Sequence, residues 1–235
     1  MKGLIVAAGD RDSTGRARTA ETRGLMKFNG REVVKHTLDA MHKIKVEEIL
    51  IIVSKESEEE YLEAFRSLPG PTIKVYQGRN NNIAYGFIYG FEVLGDKEPI
   101  LAVADDNIFD FSLDGLVKRF EEVGASVVAA RREAMLNCDI NGLRFGKIVV
   151  FEGKVIDGTL NFVGTQAVES DLISLDIYML HPELVRKLIT YTKLPQDEII
   201  RRCFGKFYAW EINQGFWADI GKPPLLKQAQ EYFGT

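Results

Sequence analysis

Short apolar runs alternate with amphipathic segments along residues 3–132, and this alternation restricts the possible folds more than any other feature of the sequence. Continuous apolar runs are typical of buried strands, and apolar residues at helical spacing are typical of helices that pack on a core. The runs predict strands at 3–8, 47–54, 73–78, 99–105 and 125–132, and helices at 31–43, 56–68, 82–95 and 113–124. This order predicts an α/β fold with a doubly wound, mostly parallel sheet.

The pattern changes after residue 132. Residues 146–159 predict an antiparallel hairpin with its turn at 151–154 (FEGK), and 171–180 predict a further strand. A helix from residue 181, a strand near 207–213 and a helix after two prolines complete the chain. No repeat or linker divides these parts, so we expect one domain over 1–235, with an α/β core at 1–132 and a small β-rich C-terminal extension at 133–235.

Composition and charge exclude several functional classes. The net charge of −4 gives no reason to expect nucleic acid or an anionic membrane as a partner. No apolar stretch is long enough to predict a membrane span. Two cysteines, Cys138 and Cys203, are too few for a disulfide framework and too far apart for a CxxC zinc motif. We therefore expect a cytoplasmic protein.

Polar residues follow three of the predicted strands, at 9–23, 77–82 and 105–107. Ligands of open α/β sheets bind beyond the carboxyl ends of the strands. The fold alone therefore predicts that these three stretches meet at one site. The first of them carries four arginines, at positions 11, 16, 18 and 23, as a phosphate-binding loop would.

Two adjacent aspartates end the apolar stretch ILAVADD, and a third lies in the apolar sequence GFWADIG. At a strand end, Asp105 or Asp106 can face the cleft and hold a hard cation, and Asp219 is a second candidate. Mg²⁺ often takes only one or two protein carboxylates together with phosphate oxygens. The alternatives are a solvated Asp-Asp turn capped by Asn107, and a helix N-cap at Asp219.

Three motifs resemble those of the nucleotidyltransferases that make nucleotide sugars, especially the sugar-1-phosphate thymidylyl- and uridylyltransferases. They are TRGLMKFNGREVV at 22–34, DDNIF at 105–109 and WADIG at 217–221. The resemblance runs nearly end to end and implies a Rossmann-like nucleotidyltransferase fold. It also implies that Asp106 and Asp219 hold Mg²⁺, and that a sugar-1-phosphate oxygen attacks the α-phosphorus of a nucleoside triphosphate and releases pyrophosphate. Such a transfer needs positioning and charge neutralisation more than an acid or a base.

The resemblance also assigns the nucleotide side of the site. It implies that Ala7, Ala8 and Gly9 contact base and ribose, and that Gln77 reads a pyrimidine, with Asn82 at the position of a supporting glycine. A glutamine amide can pair with the N3 and O4 edge of uracil or thymine. UTP or dTTP is therefore expected before CTP. Asp105 and Arg16 complete the predicted nucleotide-binding set.

The acceptor side and the loop depart from the family pattern. Gly146 and Asp176 match acceptor-facing positions, although the family has glycine at the latter. Val163–Thr165 stand where the family has Glu-Lys-Pro, so the acceptor is not expected to be an ordinary hexose-1-phosphate. Within the loop, Arg11 replaces a glycine, Ser13 an arginine and Arg23 the catalytic lysine, so we expect arginine side chains to bind phosphate there.

Three hypotheses follow from these features. The first is a working, Mg²⁺-dependent nucleotidyltransferase with Arg11, Arg23 and Asp106 as catalytic residues. The second is a non-catalytic relative that binds a nucleotide or nucleotide sugar as a regulatory subunit. The third is that the arginine loop is a solvated surface loop and the function lies elsewhere. The family is often oligomeric, so a homo-oligomer is a further expectation.

Overall fold

The computed structural model describes residues 1–7, 23–46, 48–66, 71–76, 83–136, 145–158, 170–191, 194 and 196–234. Strands in this part of the chain are β1 Lys2–Ala7, β2 Lys27–Phe28, β3 Arg31–Glu32, β4 Glu48–Ser54, β5 Thr72–Tyr76, β6 Ile100–Ala104, β7 Asn107–Phe109, β8 Ser126–Arg132, β9 Ile148–Phe151, β10 Lys154–Gly158, β11 Leu172–Leu180, β12 Phe207–Glu211 and β13 Trp217–Asp219. Helices are α1 Val33–Lys43, α2 Glu58–Phe65, α3 Ile83–Leu94, α4 Asp114–Val123, α5 Pro182–Ile189, α6 Gln196–Cys203 and α7 Pro223–Phe233. Arg23–Leu25, Lys55–Ser57 and Glu133–Met135 form short 3₁₀ turns.

Nine of these strands form one sheet in the order β5-β4-β1-β6-β11-β8-β12-β10-β9. Strands β5, β4, β1 and β6 are parallel, and so are β8 and β12, whereas β11 and β10 run antiparallel to their neighbours. This arrangement confirms the predicted fold class. Of the strands in the predicted C-terminal extension, β9, β10 and β12 lengthen the main sheet, β11 lies within it between β6 and β8, and β13 lies outside it.

Helices cover both faces of the sheet, because every central strand is apolar on both sides. Leu4 and Val6 of β1 belong to one buried cluster, and Ile5 and Ala7 belong to the other. Helix α3 packs closely on the first of these faces, since a Cβ atom at Gly90 would meet the side chain of Leu4 at 2.5 Å. The layers thus hold the carboxyl ends of β1 and β6 at one edge.

Helix α6 and the strands β2, β3, β7 and β13 were not predicted; β2 and β3 form a small antiparallel pair where the start of a helix at residue 31 was expected. Helix α6 is only eight residues long, and β7 and β13 are only three residues each. Strands β7 and β13 pair with one another as an antiparallel ribbon outside the main sheet. Among the described residues, no helix is both long and apolar enough to cross a membrane.

Candidate active site

The β7–β13 ribbon brings Asp106 and Asp219 together. Asp219 pairs with Asn107 in the ribbon, and the Ile220 N–H donates to the carbonyl of Asp106 at 3.0 Å. The amide of Asn107 locks the ribbon, because its Oδ1 accepts a hydrogen bond from Nε1 of Trp217 at 2.7 Å and its Nδ2 donates to the carbonyl of Ala104. Backbone pairing therefore fixes side by side two aspartates that are 113 residues apart in the sequence (219 − 106).

Asp105 fixes the turn that carries Arg23. It is 2% exposed, and its Oδ2 accepts hydrogen bonds from the Gly24 N–H at 3.1 Å and from the Tyr61 hydroxyl at 2.8 Å. A Cβ atom at Gly24 would collide with the Tyr61 hydroxyl and with the Asp105 carboxylate. In this structure Asp105 therefore holds in place the turn that carries Arg23. Its contact with the nucleotide stays a prediction.

Arg23 points at the predicted metal ligand. Its Nη1 donates to Oδ2 of Asp106 at 3.0 Å, and both side chains keep a small exposed fraction, 16% and 14%. Gly221 leaves the room for this contact, since a Cβ atom there would overlap the guanidinium of Arg23. Arg23 is thus held beside the carboxylate of Asp106.

Lys222 is the functional candidate that the sequence analysis missed. It is buried, its Nζ forms an ion pair with Oδ2 of Asp219, and it lies 4.9 Å above the ring of Phe145. Burial lowers the pKa of the ammonium, and the carboxylates of Asp106 and Asp176 oppose that shift. The signal was available in the motif WADIGKPP, where a lysine directly follows the predicted metal-binding segment.

Asp176 lies on a bulge of β11, between the registers at Ser174 and Tyr178. Its φ is +57°, a left-handed conformation that glycine adopts most easily, as the glycine of the related family would predict. Its Oδ1 accepts a hydrogen bond from the Tyr178 hydroxyl at 2.7 Å. Gly146 lies on the same side, with its carbonyl accepting from the Ser174 N–H at 2.6 Å. Both predicted acceptor positions are thus close to the charged cluster.

The cluster contains three carboxylates, of Asp106, Asp176 and Asp219, and two cations, Arg23 and Lys222. Among the described residues of this cluster the carboxylates outnumber the cations, which favours the binding of a further cation. Within the described residues, no group of three or more side chains forms a metal site, but Mg²⁺ needs only one or two carboxylates when phosphate oxygens and water supply the rest. The donor set of Asp106 and Asp219 therefore fits Mg²⁺.

The remaining predicted site residues fall in two groups. Ala7 ends β1 and is buried beside β4 and β6, where the nucleotide was expected. Six further positions lie outside the described residues: Ala8, Gly9, Arg11, Arg16, Gln77 and Asn82. Their roles stay predictions.

Comparison with known proteins identifies the family. The family model described as "Nucleotidyl transferase" matches residues 17–233, which include the whole charged cluster. The chain belongs to the nucleotidyl transferase family. Relatives of this family member include the mannose-1-phosphate guanylyltransferase catalytic subunit beta of Danio rerio, 27% identical over 233 residues, and that of Dictyostelium discoideum, 22% identical over 235 residues. Each alignment covers 95% of this chain and 62% of the relative's length.

Solved structures share the fold. A provisionally assigned glucose-1-phosphate thymidylyltransferase from Bacillus anthracis matches with a TM-score of 0.76 at 18% identity, covering 99% of this chain and 94% of that one. The inositol-1-phosphate CTP transferase from T. maritima matches with a TM-score of 0.72 at 13% identity, covering 98% and 96%. At such low identities these matches show a common fold and leave the substrates open.

Proposed function

We propose that this protein transfers a nucleotidyl group from a nucleoside triphosphate to a phosphorylated acceptor of the sugar-1-phosphate class and releases pyrophosphate. The observation that carries the proposal is that the Asn107–Asp219 pair and the Ile220–Asp106 hydrogen bond bring Asp106 and Asp219 together beside two cations, Arg23 and Lys222. Family membership and the phosphorylated substrates named for the relatives support the same reaction. In this proposal residues 1–132 bind the nucleotide and 133–235 bind the acceptor.

The reaction is an in-line displacement at phosphorus, and it requires neutralisation of the charge on the phosphate groups. Mg²⁺ bound by Asp106 and Asp219 would neutralise charge on the phosphates. Arg23 and Lys222, which are paired with these carboxylates in the structure, would then donate to phosphate oxygens instead. The site needs no histidine for this reaction.

Lys222 compensates for a missing family feature. The chain lacks the Glu-Lys-Pro lysine that grips the acceptor phosphate in the related enzymes. Lys222 lies between Asp219 and the acceptor-side residues Phe145 and Asp176, so its ammonium can take over that contact. We therefore place the acceptor phosphate at Lys222, with Asp176 and Gly146 beside it.

The identity of the nucleotide base is a more specific part of the proposal. Gln77 favours a pyrimidine, UTP or dTTP before CTP, whereas two relatives are named guanylyltransferases. Exchange of radiolabelled pyrophosphate into UTP, dTTP, CTP and GTP, with a panel of sugar-1-phosphates and polyol phosphates, tests both substrates. Turnover with GTP alone would contradict the pyrimidine assignment but would leave the reaction class in place.

A non-catalytic regulatory subunit is the second candidate. The observation that favours it is that the protein's own cations neutralise both predicted metal ligands. The same exchange assay separates the two functions when it is combined with equilibrium binding of the four triphosphates. Binding without turnover for every substrate pair would establish the regulatory function.

Gly221→Ala tests the position of Arg23. Because the new methyl group would overlap the guanidinium, we expect the Arg23–Asp106 contact to break and turnover to fall at least about tenfold. The protein should stay folded, since the long arginine side chain can move aside. Melting temperature and steady-state rates measure the two effects. In a double-mutant cycle with Arg23→Ala the losses should not add; fully additive losses would show that Gly221 acts elsewhere.

A further inference from the structure

A second arginine is buried away from the cluster. Arg131, on β8, is 7% exposed, and its Nε and Nη1 have no hydrogen-bond partner among the described residues. Its neighbour Arg132 points to the opposite side of the sheet, is half exposed, and pairs with Asp171 and Glu211 at 2.7 Å. A guanidinium is charged at any physiological pH, so leaving two of its nitrogen atoms without a hydrogen-bond partner in the interior is unfavourable.

The carboxylate of Asp110, whose charge acts on Arg131, already accepts two hydrogen bonds. Oδ1 of Asp110 accepts from the Phe216 N–H at 2.6 Å, and Oδ2 accepts from the Tyr232 hydroxyl at 2.8 Å. The charge of Asp110 therefore stabilises the charge of Arg131, although Asp110 forms no hydrogen bond with Nε or Nη1 of Arg131. Burial lowers the pKa of Arg131, and Asp110 and Tyr232 oppose the shift.

Arg131 opens into a cavity of about 340 Å³, within the size range of small-ligand sites. The aromatic side chains of Phe216, Trp217 and Tyr232 form part of its wall. Gln228 also lines the cavity, and its Oε1 is buried and has no hydrogen-bond partner in the part of the chain that the structure describes. Two side chains with unsatisfied polar atoms, Arg131 and Gln228, thus line one cavity, which is open to solvent on one side.

We propose that this cavity binds a small hydroxycarboxylate, with the carboxylate on Arg131 and a hydroxyl group donating to Gln228. Asp110 beside Arg131, and Glu231 at the cavity, limit the negative charge that the site accepts, so a singly charged carboxylate fits better than a doubly charged phosphate. The aromatic wall covers the carbon skeleton.

This site is distinct from the charged cluster. None of Arg23, Asp106, Asp176, Asp219 or Lys222 lines the cavity. The two places share elements but not side chains: Trp217 of β13 and Gln228 of α7 line the cavity, whereas Asp219 of β13 and Lys222, the N-cap of α7, belong to the cluster. The proposal therefore does not depend on the nucleotidyl transfer proposed above, and it can be tested on protein that shows no turnover.

The experiment compares glycerate, glycerol and inorganic phosphate as probes, on the full chain and on two variants. Arg131→Met removes the proposed ligand contact, and Arg132→Met is the matched control on the same strand. We expect glycerate to shift the Nε–H resonance of Arg131 and to raise the melting temperature. Glycerol, which lacks the carboxylate, should do neither. Arg131→Met should weaken glycerate binding at least about tenfold, and Arg132→Met should leave it unchanged.

Loss of folding cannot imitate this result. Asp110 keeps its hydrogen bonds from the Phe216 N–H and the Tyr232 hydroxyl when Arg131 is replaced, so unliganded Arg131→Met should stay folded, with a melting temperature close to that of the unmodified protein. Equal glycerate binding by Arg131→Met and the unmodified protein would overturn the proposal, as would no response to glycerate at tens of millimolar. A shift of the Arg131 resonance by phosphate but not by glycerate would overturn the carboxylate assignment.

Discussion

Replacing Asp106 by asparagine is expected to lower nucleotidyl transfer at least about a hundredfold while leaving the fold intact. Asparagine keeps the size of the side chain and can still accept the hydrogen bond from Arg23, so the melting temperature should change little. It loses the negative charge that a divalent cation needs. Pyrophosphate release measures the rate, and titration with Mn²⁺ followed by electron paramagnetic resonance measures metal binding without turnover.

Asp114→Asn is the matched control for this prediction. Asp114 lies in the first turn of α4, is exposed, and hydrogen-bonds only locally with Ser112 among the described residues. Its replacement should change neither the rate nor Mn²⁺ binding. If Asp106→Asn binds Mn²⁺ as tightly as the unmodified protein, Asp106 is not a metal ligand, whatever happens to the rate.

The fold was predictable because its dominant signal is local. A buried parallel strand is a short apolar run and a packed helix has a 3.6-residue period, so both can be recognised in windows of a few residues. Most predicted elements agree with the structure within a few residues; the strand predicted at 99–105 is Ile100–Ala104, for example. The position of β11 between β6 and β8 was not predictable, since pairing between distant segments leaves no periodic trace.

Only those site residues that lie in recognisable sequence motifs could be predicted. DDNIF and WADIG pointed to Asp106 and Asp219, but not to the ribbon that joins them, because strands of three residues are too short for an alternating pattern. Asn107 was considered only as a turn cap, yet it is buried and bonded to Trp217. Lys222 and Gly221 were missed because their importance comes from Arg23 and Asp219, contacts that exist only after folding.

Replacing Lys222 by methionine is expected to produce the largest loss of stability among these variants, about 3 to 5 kcal/mol in the free energy of unfolding. Methionine has a similar volume, but it leaves the buried carboxylate of Asp219 without its ion-pair partner, beside the charges of Asp106 and Asp176. Turnover should also fall at least about a hundredfold, because the proposed contact with the acceptor phosphate is lost. Urea denaturation without divalent cations measures the first effect, and steady-state kinetics over acceptor concentration measures the second.

The response of the melting temperature to Mg²⁺ tests whether Lys222 belongs to the metal-binding site or only forms a buried ion pair. In Lys222→Met the unpaired carboxylates should bind Mg²⁺ more tightly, so Mg²⁺ should raise the melting temperature of the variant more than that of the unmodified protein. Lys187→Met, which removes only an exposed pair with Glu183, should show a much smaller loss of stability and no added response to Mg²⁺. Stabilisation by Mg²⁺ that is equal in all three proteins would mean that Lys222 and the metal do not share these carboxylates, and that the ammonium serves the fold alone.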